Sequence, residues 1–261
     1  MGKVQQKFQE LRKNNQKAFI PFITFGYPTI NKSIDIFHLL GSLGVDVIEL
    51  GVPFSDPIAD GLVIQQASYQ ALTQGVNLPM MFSFLHKELR NFKVPVVFMS
   101  YYNPIYHLGE KKFFSLAKDS GLAGVIVPDL LVDYSQDFVK IAKNKDIDTN
   151  FFVSSDTSNQ RITLVDKAST GFIYYLSVKG ITGMRKTFSK DIFSKIKTIK
   201  TKVKNPVCVG FGISDRSQVL QFNQVADGVI VGSAIVKKIC LWQKDKNMLK
   251  KLREFILWLK G

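Results

Sequence analysis

Two carboxylates frame the part of this chain with the clearest chemical character. Glu49 lies inside the apolar run Val45-Asp46-Val47-Ile48-Glu49-Leu50-Gly51, and Asp60 follows eleven residues later, beside Gly61. Asp46 to Leu50 has the length and composition of a short buried strand, and alternate residues of a strand share a face, so Val47 and Glu49 point the same way. A carboxyl at the carboxyl end of such a strand lies where α/β folds seat their ligands. Loss of water there raises its pKa towards the range useful for acid and base catalysis. A paired core carboxylate would account for Glu49 equally well. Asp60, in Ala59-Asp60-Gly61 ahead of the helical pattern Leu62 to Leu72, would also serve as an ordinary helix cap. The spacing alone leaves both readings open.

Two glycine turns form a second constellation. Val209-Gly210-Phe211-Gly212-Ile213-Ser214 follows one candidate strand, and Val231-Gly232-Ser233-Ala234-Ile235 follows the next and opens a helix. Glycine lets backbone N–H groups approach an anion closely and a helix amino terminus adds a favourable dipole, so the pair would cradle a phosphate as barrels do after their seventh and eighth strands. The alternative is that these glycines simply finish strands. Upstream, Ser177 to Lys186 is long, basic and glycine-containing, the composition of a lid or of a plain surface loop.

Such groups need a scaffold, and the chain supplies one by alternation. Candidate strands fall at Phe19 to Thr24, Asp46 to Leu50, Val94 to Met99, Ala123 to Val127, Thr149 to Val153, Phe172 to Leu176, Pro206 to Val209 and Gly228 to Val231. Helical patterns lie between them, near Ser33 to Leu43, Leu62 to Leu72, Pro79 to Asn91, Lys111 to Lys118, Tyr134 to Lys143, Gln160 to Lys167, Lys190 to Lys200 and Ser217 to Phe222, with more from Ser233 through Met248 to Leu259. Strands alternating with helices argue for parallel pairing with right-handed crossovers, and eight such units suit a closed (β/α)8 barrel. An open doubly wound sheet competes, but no GxGxxG follows the first strand. The expectation is an α/β, single-domain TIM barrel with extra helices, spanning residues 1–261.

Composition narrows the setting. No apolar run reaches the roughly 18 to 20 residues needed to span a bilayer, and Met1 to Lys17 is too polar for a signal segment, so a cytoplasmic enzyme without membrane association is expected; an organelle stroma stays open if an organelle encodes the protein. Cys208 and Cys240 lack metal-site or redox spacing and are expected to be buried, inert thiols. The net charge of +14 raises nucleic-acid binding, and Lys195 to Lys204 (KIKTIKTKVK) is the densest basic tract. Ile196, Ile199 and Val203 recur there at roughly helical spacing, which makes the lysines a solvated face. Without an aromatic-interleaved basic stripe or a recognition motif, no nucleic-acid partner is expected. The lysine-rich surface would instead draw in an anionic substrate.

ELGVPFSDPIADG, preceded by PFITFGYP and followed by YYLSVKGITG, VGFGIS and VGSAIVKKI, resembles the tryptophan synthase α subunit family over nearly the whole chain. The first motif is long and specific; the glycine turns are shared with many phosphate-binding barrels. The resemblance implies a (β/α)8 fold and retro-aldol cleavage of indole-3-glycerol phosphate to indole and glyceraldehyde 3-phosphate, a lyase step of L-tryptophan biosynthesis. It also implies a partner β subunit in an αββα heterotetramer, with no metal and no cofactor in this subunit and pyridoxal phosphate only in the partner. Carried over by position, Glu49 matches the catalytic acid and base, Asp60 the carboxylate that holds the indole N–H, and Tyr174 the ring packed near both. Phe22, Met99 and Tyr101 fall at indole-pocket positions. Gly183, Phe211, Gly212, Gly232 and Ser233 fall at phosphate positions, Thr182 at the lid threonine that closes towards Asp60, and Asp56 at a loop residue touching the partner. Departures are mild, at Leu130-Leu131 and along Met184-Arg185-Lys186-Thr187. A different phosphate-binding barrel enzyme of aromatic or histidine biosynthesis would lack the Glu49 and Asp60 loop, and a subunit retained only as an allosteric partner would not need both carboxylates intact.

Overall fold

The computed structural model describes residues 1–176, 190–210 and 212–261. Its strands are β1 (Ala18–Thr24), β2 (Ile48–Gly51), β3 (Val96–Met99), β4 (Gly124–Ile126), β5 (Asp148–Asn150), β6 (Phe152–Ser154), β7 (Ile173–Leu176), β8 (Val207–Gly210) and β9 (Gly228–Val231). Each pairs in parallel with its neighbours, in the order β5-β4-β3-β2-β1-β9-β8-β7-β6. β5 and β6 are two halves of one stretch interrupted at Phe151, so the ends of that order are joined by the chain itself. Nine segments therefore make the eight staves of a closed TIM barrel. At the interruption the side chain of Asn150 replaces ladder bonds on both sides: Nδ2 donates to the Val125 carbonyl at 3.1 Å, and Oδ1 accepts from the Phe172 N–H at 2.8 Å.

All seven residues of β1 and all four of β2, β3, β8 and β9 are buried. Parallel strands buried on both faces, by helices outside and by the packed barrel interior inside, require such continuous apolar runs. β2 begins two residues later than the sequence pattern suggests. Asp46 turns its carboxylate to the Phe19 N–H, 2.8 Å away, rather than extending the strand.

The expected helices are present, with ends shifted by a few residues. Leu62–Leu72 and Lys190–Lys200 keep their expected bounds, and the carboxyl-terminal region resolves into Ser233–Trp242 and Met248–Lys260. Two helices are additional, Lys3–Lys13 and Tyr102–Leu108. The first is polar in composition, yet it buries Val4, Phe8 and Leu11, one stripe at helical spacing. Its amino terminus is capped from far along the chain: the buried carboxylate of Asp148, at the start of β5, accepts the N–H groups of Val4 at 3.0 Å and Gln5 at 3.4 Å. The helix lies under the amino ends of the strands and forms part of the barrel floor.

In the basic tract Ile196 and Ile199 are buried, while Lys197, Lys202 and Lys204 are exposed, as a solvated helix face requires. One expectation is corrected. Cys208 is buried in β8, but Cys240 is exposed, because the helix Ser233–Trp242 turns Ala234, Ile235, Val236 and Ile239 inward and leaves Cys240 on its outer flank. Among the described residues no helix is long and apolar enough to cross a membrane, and no group of three or more His, Cys, Asp or Glu side chains could hold a metal ion.

Candidate active site

The carboxyl ends of the strands converge on one cavity. β2 brings Glu49 into it, and the register places Glu49 directly across from Phe22 of β1. Met99 ends β3 and stands level with Gly51, while Tyr174 comes from β7. The loop after β2 returns Asp60 to the same wall just before the helix Leu62–Leu72 begins. The far side is closed by Gly212, after β8, and by Gly232 and Ser233, where the helix Ser233–Trp242 starts. Eight of the twelve substrate and catalytic positions marked in the sequence thus line a single cavity.

Electrostatics separates the two carboxylates. Glu49 is 1% exposed, and burial pushes its carboxyl up to about 8, the charge of Asp60 adding to the shift. Asp60 is 5% exposed and is raised by burial to about 6, held down from a higher value by a hydrogen bond. That bond comes from Tyr101, whose hydroxyl donates to Asp60 Oδ2 at 3.0 Å and accepts the Ala59 N–H at 2.9 Å. Phe54 stacks on the Tyr101 ring at 5.1 Å. Tyr101 therefore holds both the carboxylate and the loop that carries it, instead of only walling the cavity. Glu49 Oε2 and Asp60 Oδ1 are buried without hydrogen-bond partners among the described residues. Unpartnered buried carboxylate oxygens are costly, and here both border the same space. Burial and the two nearby carboxylates hold the Tyr174 phenol well above its ordinary pKa, so it is a neutral ring at physiological pH.

The glycine turns have the geometry that close approach requires. Gly212 has φ +84°, a left-handed conformation that disfavours a side chain. Gly232 precedes a helix of ten residues whose first N–H groups face the cavity end of the barrel. Thr182, Gly183 and Phe211, and the strand-seven loop with its expected lid, lie outside the described residues. Asp56 is exposed on the loop after β2, away from the cavity lining.

Two lining residues escaped the sequence reading, Ile64 and Ile230. Ile230 was within reach of it, since it lies in β9 two residues before Gly232. Ile64 sits one turn after Asp60 on the first turn of its helix. The Tyr101 to Asp60 bond had no sequence signal, as 41 residues separate the partners.

A neutral acid and an ionised carboxylate in one apolar space, next to a glycine-lined helix start, can donate a proton, steady a cation and bind an anion at once. The family profile described as tryptophan synthase alpha chain matches residues 8–260. The chain is 40% identical to the tryptophan synthase alpha chain of Geotalea daltonii, over 91% of this chain and 90% of that one. It is 39% identical to the alpha chain of Burkholderia thailandensis, over 100% and 96%. Among solved structures, tryptophan synthase subunit alpha from Legionella pneumophila superposes with a TM-score of 0.91 at 28% identity, covering 100% of this chain and 97% of that one. A chain of the tryptophan synthase complex from Pyrococcus furiosus superposes with a TM-score of 0.84 at 35% identity, covering 93% and 97%.

Proposed function

Because the chain belongs to the tryptophan synthase alpha chain family, we propose that this cavity carries out the family's lyase step in tryptophan biosynthesis, the cleavage of indole-3-glycerol phosphate to indole and glyceraldehyde 3-phosphate, residues 1–261 acting as one unit. The observation that carries the assignment of residues is the pair Glu49 and Asp60, one shifted to about 8 and the other to about 6 within a single cavity.

The bond from indole C3 to the side chain breaks only if the ring accepts the electron pair. Glu49 donates its proton to C3, and N1 becomes part of a cationic iminium. Asp60, ionised, accepts the N1–H hydrogen bond and stabilises that charge as it develops. Glu49, now a carboxylate, takes the proton from the adjacent side-chain hydroxyl. The C–O bond becomes the aldehyde, the C–C bond breaks, and its electron pair restores neutral indole. The acid ends the cycle protonated, as it began. Indole itself is the electron sink, so this scheme calls for no cofactor or metal in this subunit.

Phe22, Met99, Tyr101 and Tyr174 would enclose the ring, and Gly212, Gly232 and Ser233, with Gly183 and Phe211, would bind the phosphate; Thr182 would close towards Asp60. The cavity is tight, about 30 Å³, and an indole enters as side chains give way. The Phe22 ring packs directly against Gly51, where a Cβ would stand 2.6 Å from it, so the absence of a side chain at Gly51 is what lets the ring lie along this wall.

The partner would be a tryptophan synthase β subunit, carrying pyridoxal phosphate, in an αββα assembly, with Asp56 at the contact. This is supported by a set of large apolar side chains exposed around the cavity mouth, among them Ile58, Leu62, Leu131 and Tyr134, each more than half exposed. The discriminating assay is indole release from indole-3-glycerol phosphate by this chain alone and with a β subunit. Slow release accelerated by the partner fits the proposal. A rate that the partner leaves unchanged contradicts the subunit role.

A further inference from the structure

At the opposite end of the barrel a larger cleft, about 350 Å³, opens between the helix Lys3–Lys13 and the segment that follows the helix Lys190–Lys200. Its volume is that of a small-molecule site. Four cations, Arg12, Lys17, Lys200 and Lys204, face a single carboxylate, Asp227. That carboxylate is already committed: it takes Lys200 at 2.6 Å and the Val207 N–H at 3.0 Å, and Lys17 reaches it only at 3.9 Å. Arg12 and Lys204 have no ion pair among the described residues.

These cations are not spent on the helix ends. The last carbonyls there are met by backbone N–H groups, Gln16 to Leu11 at 2.8 Å and Asn14 to Glu10 at 3.2 Å on one side, Thr201 to Lys197 at 3.2 Å on the other. The base of the cleft is apolar, formed by Phe8, Leu11, Val203 and Pro206, and the amides of Gln5 and Gln9 stand on its wall. Excess positive charge over an apolar base, with amide donors and acceptors beside it, matches a phosphate joined to a flat heterocycle, on which the Arg12 guanidinium can stack.

We propose that this cleft is a second small-molecule site of the chain, taking a nucleoside monophosphate or an anion of the same build. It is separate from the catalytic cavity: Pro206 and Asp227 precede β8 and β9, whereas Gly212 and Gly232 follow them, so the two sites occupy opposite ends of the same two strands. The inference does not depend on the reaction assigned to the other end.

The test is calorimetric titration of the full chain with adenosine monophosphate, with adenosine and inorganic phosphate as the half-ligands. Saturable binding of the nucleotide is expected, at least about tenfold tighter than either half. Arg12→Glu with Lys204→Glu should weaken it by a further tenfold or more while kcat and KM for indole release stay unchanged, and the milder pair Arg12→Ala with Lys204→Ala should weaken it to a smaller degree. Gly212→Asp should leave nucleotide binding intact. The inference is overturned if the nucleotide shows no saturable binding up to roughly 10 mM, if both double variants bind it as the wild type does, or if Gly212→Asp abolishes binding, which would locate it in the catalytic cavity.

Discussion

At pH 7 a carboxyl of pKa about 8 is mostly protonated and one of about 6 mostly ionised, so Glu49 and Asp60 enter the reaction in the forms their proposed roles require. Activity falls below about pH 6 as Asp60 is protonated, and falls above about pH 8 as Glu49 loses its proton; kcat/KM for indole release should be bell-shaped between these limbs. Tyr101 sets one of them. Its hydroxyl lowers the Asp60 pKa by bonding the ionised form, so Tyr101→Phe should move the acid limb to higher pH and leave the alkaline limb nearly in place. An unmoved acid limb would show that the bond does not tune Asp60. At this scale Glu49 was legible because a charge within an apolar strand declares its face. Asp60 was not, since a cap and a catalytic carboxylate look alike before a helix, and the tyrosine bonded to it comes from the turn after β3.

Elements deliver these groups, and their ends matter more than their middles. β8 finishes in Gly210, Gly232 follows β9 directly, and Gly212 holds a left-handed turn. An aspartate there would be strained and would repel an anion, so Gly212→Asp should raise KM for indole-3-glycerol phosphate by about tenfold or more, with a smaller change in kcat; an unchanged KM would remove the proposed phosphate cradle. The floor depends on a different contact. Asp148→Ala frees the first N–H groups of the helix Lys3–Lys13 and should lower unfolding stability by about 1–3 kcal/mol, measurable by denaturant titration. The strand and helix rhythm was plain in sequence because buried parallel strands are uninterrupted apolar runs. The amino-terminal helix was missed because its stripe is only Val4, Phe8 and Leu11 within a polar segment. The break at Phe151 depends on side-chain bonds from Asn150 to both neighbours, which no local pattern announces.

For the whole molecule, alternation of eight apolar runs with amphipathic stretches was enough to select the barrel, since parallel pairing with right-handed crossovers leaves few other arrangements. Where charge and exposed apolar surface would fall depended on which flank each helix turns outward: the basic tract became a solvated face, Cys240 came to the surface, and Ile58, Leu62 and Tyr134 gathered at the mouth. One end of the barrel thus holds the two buried carboxylates and an exposed apolar mouth, the place for the proposed chemistry and partner, and the other end holds a basic cleft. Its central claim is that a buried acid in β2 moves the proton. Single-turnover indole release by Glu49→Gln, beside the wild type and with ligand affinity checked separately, addresses it most directly: release should fall by roughly 10² to 10⁴-fold or more with binding retained, and release at the wild-type rate would contradict the account.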